Sequence, residues 1–143
     1  MRPLKDFEDF VTGGIVKKQS PDKNRADSLI RGSENSYEFL SEIVKKIGIT
    51  DKNANNIIKS SYDIIMELIR AEMLTKGFNS SGQGAHEAEV SFFREINFQE
   101  SDVQFLNQLR YFRNGITYYG KSFDGEYAKK VLDFLKKIKK TLS

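Results

Sequence analysis

The chain has 143 residues, 38% of them hydrophobic and 30% charged, with 11 Phe and 6 Tyr; this is material for one domain with a packed core and excludes a disordered chain. No cysteine and a single histidine, His86, exclude disulfides, thiolate metal sites and a zinc centre of the usual type within one chain, so no metal or cofactor is expected. A net charge of +3 permits nucleic-acid contact without demanding it.

Both prolines, Pro3 and Pro21, fall early, and the rest of the chain is free of the strongest helix breaker. The opening M-R-P-L-K-D-F-E-D-F carries acids where a signal peptide needs apolar residues, and no apolar run approaches a membrane span. With the absence of cysteine, this predicts a cytoplasmic protein with no membrane partner. Leu4 to Val11 reads as a short helix ended by Thr12-Gly13-Gly14, and Ile15 to Gln19 as a connector. Ser20-Pro21 reads as N-cap and first helical residue of a long helix. Its stripe is Ala26, Ile30, Ser33, Tyr37, Leu40, Val44 and Ile47, ended at Gly48.

Thr50-Asp51 starts the next helix. Ala54, Ile58, Ser61, Ile65, Leu68 and Glu72 form one stripe, and Ile57, Ile64, Ile69 and Met73 widen it, so this helix is expected at the centre. Asp63 and Glu67 share one of its faces. After Gly77, the run F-N-S-S-G-Q-G is the richest loop, and Ala85-His86-Glu87-Ala88 begins a short helix. No second histidine follows His86 at zinc-motif spacing. Ser101 to Gln104 fits a capping box, followed by Val103, Leu106, Leu109, Phe112 and Ile116 facing a core. Asp124 or Ser122 starts a last helix whose basic tail, Lys136, Lys137, Lys139 and Lys140, reads as a solvated face. No strand pattern and no repeat stand out. The expectation is an all-α, up-and-down helical bundle of about five helices, a single domain over residues 1–143.

The stretch L-R-Y-F-R-N-G-I-T-Y-Y-G, Leu109 to Gly120, holds the candidate site. Arg110 and Arg113 are permanently charged and must meet carboxylates, phosphates or water. Two readings stand: ion pairs to Asp63 and Glu67, or an anion or nucleotide site with Asn114, Tyr118 and Tyr119.

Four stretches, G-I-V-K-K-Q-S-P-D-K, I-T-D-K-N-A with Ser61-Tyr62-Asp63, K-G-F-N-S-S-G-Q-G-A-H-E-A, and R-N-G-I-T-Y-Y-G, resemble the HEPN (higher eukaryotes and prokaryotes nucleotide-binding) domains over nearly the whole chain. The resemblance implies a HEPN-like bundle, homodimerisation, and one of three roles: metal-independent RNA cleavage, partnership with a nucleotidyltransferase in a toxin–antitoxin pair, or non-catalytic binding. The family's ribonucleases carry an Arg, a polar residue, and a His after four to six positions. Arg113 and Asn114 match the first half, while Tyr118 stands where the His would be. Tyrosine is a poor base near neutrality. The expectation is therefore a nucleotide- or RNA-binding module, leaning away from catalysis, with Arg110, Arg113, Asn114, Tyr118 and Tyr119 as ligand-binding residues and Asp63, Glu67 and His86 as accessory ones. The alternatives are the toxin–antitoxin partner and the ribonuclease.

Overall fold

Helical periodicity runs through almost the whole sequence, and the computed structural model, which describes residues 2–142, is 73% helical. The fold class is an all-α helical bundle. Among the described residues there are six α-helices: α1 (Phe7–Thr12), α2 (Lys23–Ile47), α3 (Ala54–Thr75), α4 (Ala85–Phe92), α5 (Glu100–Tyr119) and α6 (Gly125–Leu142). Two short strands, β1 (Val16–Lys18) and β2 (Phe78–Ser80), pair antiparallel with Val16 opposite Ser80. These strands replace the expected connector and the start of the expected loop. Three residues are too few for a period-two pattern to show.

Contacts divide the chain into two units, Met1–Ile30 with Met66–Gln108 and Arg31–Ile65 with Leu109–Ser143. The boundaries fall inside α2, α3 and α5. In the first unit Phe7, Phe78 and Phe92 meet edge to face, with centroids 4.8 to 6.0 Å apart. Gly77 ends α3 at φ +83°, and its carbonyl accepts from the Gln19 N–H at 2.8 Å. A Cβ there would stand 2.6 Å from the Gln19 oxygen, so only glycine fits. In the second unit Ile57, Ile58, Ile65, Leu109, Val131, Leu135 and Ile138 are buried. Lys139 lies 3.7 Å over the Tyr37 ring, while Lys136, Lys137 and Lys140 face solvent.

Several expected details differ. α2 is capped by Asp22, whose carboxylate accepts from the Arg25 N–H at 3.1 Å, and begins two residues after Pro21. Ile30 and Ile47 of its expected inner stripe are exposed, Ile47 by 67%. Thr50 and Asn53 exchange side-chain-to-backbone bonds at 2.9 and 3.2 Å ahead of α3, and Asp51 instead caps α6 by accepting from Gly125 N–H at 2.8 Å. α5 starts at Glu100, before the expected cap at Ser101, and Gln104 donates back to Glu100 at 2.7 Å. α1 begins at Phe7, after Asp6, whose extended backbone and capping box with Asp9 start the helix, while Arg94 donates to the Leu4 and Lys5 carbonyls ahead of it.

Candidate functional site

The second half of α5 lies wholly in the second unit with the loop that follows it. A helix advances about 100° per residue, so neighbouring residues of one motif point to different sides. Arg113 turns towards α3. Its Nη2 is 3.6 Å from Asp63 Oδ1, and its guanidinium lies 5.7 Å from the centroid of the buried Tyr62 ring. The ion pair is longer than a hydrogen bond, and Arg113 Nε is buried without a hydrogen-bond partner among the described residues. Arg113 is thus closed on the Asp63 side, with its side chain 23% exposed.

The adjoining side of α5 is open. Tyr111, Asn114 and Tyr118, spaced by three and four, line a hollow of about 690 Å³ with Tyr119 and Lys121. Phe112 and Phe123 give it apolar walls, backed by Tyr127, which meets both rings at 5.6 and 5.4 Å. Burial pushes the Tyr127 hydroxyl up to about 12. Tyr111, Tyr118 and Tyr119 are 57%, 70% and 79% exposed.

The loop wall is built rather than loose. Gly120 stops α5, and the Lys121 N–H returns to the Gly115 carbonyl at 3.2 Å. Asn55 of α3 clamps the loop twice: its amide donates to the Lys121 carbonyl at 2.9 Å and its oxygen accepts from Phe123 N–H at 3.0 Å. Gly115 leaves the space that the Lys121 stem crosses, since a Cβ there would lie 3.1 Å from Lys121 Cγ.

The hollow therefore gathers Asn114, Tyr118 and Tyr119 of the sequence candidates. Arg113 pairs with Asp63 outside it, and Arg110 is half-buried and not among its lining. Glu67 and His86 belong to the first unit. Tyr111, Lys121 and the Asn55 clamp escaped sequence reasoning. Tyr111 shares the helical face of Asn114 and Tyr118, which was a usable signal; the Asn55 contact spans 66 residues and left none.

A second polar constellation, also unforeseen, sits in the first unit around Glu89, whose side chain is 3% exposed. Its Oε2 accepts from Arg70 Nε at 2.8 Å and from Ser80 Oγ at 2.9 Å, and His86 Nδ1 lies 3.3 Å from Oε1. Burial works to raise the Glu89 pKa, but His86, Arg70 and Ser80 outweigh it and hold the carboxyl below the usual carboxylate range. His86 is thus tied to a structural carboxylate, with its ring 58% exposed.

Among the described residues no helix is long and apolar enough to cross a membrane, and no group of three acids or histidines is arranged to hold a metal ion. No protein-family model, no curated protein and no solved structure matches this chain significantly.

Proposed function

We propose that this chain is a nucleotide- or RNA-binding module that does not cleave its ligand. The observation that carries the reading is the hollow beside α5, where three exposed tyrosines surround an amide and an ammonium. Exposed aromatic rings stack on bases of any sequence, a carboxamide both donates to and accepts from base edges, and an ammonium meets phosphate. Tyr118 and Tyr119 stack, Asn114 reads an edge and Lys121 neutralises backbone charge. Arg113 and Arg110 sit outside the hollow and contribute positive potential. The resemblance to HEPN domains supports the same ligand class and a paired assembly of two copies, and the absence of cysteine suits a cytoplasmic setting. Tyr118, in place of a histidine, leaves no base competent near neutral pH, so binding proceeds without cleavage.

The test is fluorescence anisotropy with a labelled single-stranded RNA of about ten nucleotides, a length chosen to cover one stacking platform. Tyr118→Ala is expected to weaken binding about tenfold, the lower-middle of the range for one lost stack, and Lys121→Ala to reduce its salt dependence. The chain has no tryptophan, so RNA-induced quenching of tyrosine emission that shrinks in Tyr118→Ala reports stacking on that ring. Binding unchanged in Tyr118→Ala would refute the assignment. Metal-independent cleavage lost in Arg113→Ala would refute the non-catalytic part.

The exposure of Tyr111, Tyr118 and Tyr119 also favours a second reading, in which the same rings anchor a protein partner such as a nucleotidyltransferase. Absence of RNA binding in the intact chain would transfer the site to that reading.

A further inference from the structure

The first unit holds a smaller hollow that neither the Arg113 motif nor the tyrosines reach. It has a volume of about 120 Å³ and is lined by Arg25, Arg70, Asn79 and Ser80 over an apolar floor that includes Leu74 and Phe78. These residues come from the first turn of α2, from α3 and from β2. There is no carboxylate in the lining. Arg70 is fixed from behind, because Glu89 holds its Nε at 2.8 Å. Ser80 is fixed by the same carboxylate at 2.9 Å. Glu89 balances one of the two guanidinium charges. The other, on Arg25, has no ion pair among the described residues, and the Asn79 carboxamide has no side-chain hydrogen bond among them.

We propose that this hollow binds a phosphate-sized oxyanion. The lining presents two guanidinium groups and no carboxylate, and the nearby Asp22 carboxylate is held on the Arg25 backbone N–H, which leaves the Arg25 guanidinium to meet an anion. Arg25 and Asn79 supply donors that are not committed elsewhere, and a planar guanidinium suits oxyanions in particular. At about 120 Å³ the hollow is small and open, a size that suits a tetrahedral anion. The ligand is therefore free phosphate or the terminal group of a phosphate monoester whose remainder stays outside. The site lies in the first unit and is independent of the tyrosine hollow.

The experiment is a titration of the intact, nitrogen-15-labelled chain with inorganic phosphate, followed by amide shifts at fixed ionic strength, with nucleoside 5′-monophosphate as a second arm. Saturable shifts at the Asn79 and Ser80 amides are expected. Affinity should fall about tenfold in Arg25→Ala, as for one charge-assisted contact, less in Asn79→Ala, and not at all in Tyr118→Ala. Arg25 is exposed, so its loss leaves folding intact. Equal affinity for the two ligands identifies free phosphate as the source; tighter binding of the monophosphate identifies the ester. Shifts that fail to saturate, that scatter over the surface lysines, or that persist unchanged in Arg25→Ala would overturn the proposal. Loss of the RNA reading through Tyr118→Ala would leave these shifts in place, so the two ideas fail separately.

Discussion

Replacing Glu89 by alanine should be among the more damaging single changes in the first unit. The carboxylate is 3% exposed and satisfies Arg70 and Ser80, while His86 stands 3.3 Å away. Breaking a buried ion pair by removing one partner costs about 3–5 kcal/mol when the survivor is fully buried. Arg70 keeps 35% of its side chain exposed, so water recovers part of its charge and the expected loss is about 2–3 kcal/mol. Glu89→Gln keeps the shape and an acceptor for Arg70, and should cost about 1–2 kcal/mol. Urea unfolding followed by circular dichroism measures both, with an unchanged slope showing that the same surface is exposed. The folded carboxyl is held below its ordinary range, so its contribution is complete above the unfolded value of about 4.3 and disappears as pH falls through the lower folded value. The gap between wild type and Glu89→Ala should hold from neutrality to about pH 5 and narrow below about pH 4. A gap under about 0.5 kcal/mol at pH 7, within the scatter of neutral surface changes, or one that widens in acid, would refute the reasoning.

Gly77→Ala should lower stability by about 2 kcal/mol, because the left-handed backbone and the 2.6 Å approach to the Gln19 oxygen both resist a Cβ; a thermal scan unchanged within error would contradict this. Asn55→Ala removes two side-chain-to-backbone bonds, about 1–3 kcal/mol together. Its local signature is faster hydrogen exchange at Phe123 N–H, and RNA affinity should drop with it if the loop presents Lys121. Exchange as slow as in wild type would show that the clamp is dispensable.

Helix content was legible in the sequence wherever a stripe was two-sided. α3 is apolar around most of its circumference and is buried accordingly, from Ala54 through Ile58, Ile65 and Met73. Spacing identified α2 as well, but not which edge of its stripe faces water, since Ile47 reads as core and is exposed. Two caps differ from their expected places. Asp22 caps α2 in place of Ser20 because its carboxylate reaches the Arg25 N–H, and α5 already begins at Glu100, one residue before Ser101. The short sheet, the Asn55 clamp and the Glu89 cluster stayed hidden for a common reason: each depends on partners far apart in sequence, and none leaves a local period. Glu89 in particular reads as one of the two acids in H-E-A-E-V until Arg70 and Ser80 are placed beside it.

The division of the R-N-G-I-T-Y-Y-G stretch by its own helix bears most directly on function. Read linearly, Arg113, Asn114 and Tyr118 form one motif. Read on a helix, Asn114 and Tyr118 are four apart and share a face with Tyr111, while Arg113 is turned about 100° away from Asn114. That rotation carries Arg113 to Asp63 and Tyr62 and leaves the open side to tyrosines and an amide. A site built this way gains contact area from rings and only a single charge, from Lys121, within its lining. Its binding should accordingly depend weakly on salt, with a slope close to that of one released counterion, about 0.7 for a single strand. A cleft organised around two arginines and a lysine would show about three times that slope. Measuring RNA affinity across salt concentrations therefore separates the two geometries without any substitution. A steep dependence would return Arg110 and Arg113 to the centre of the site.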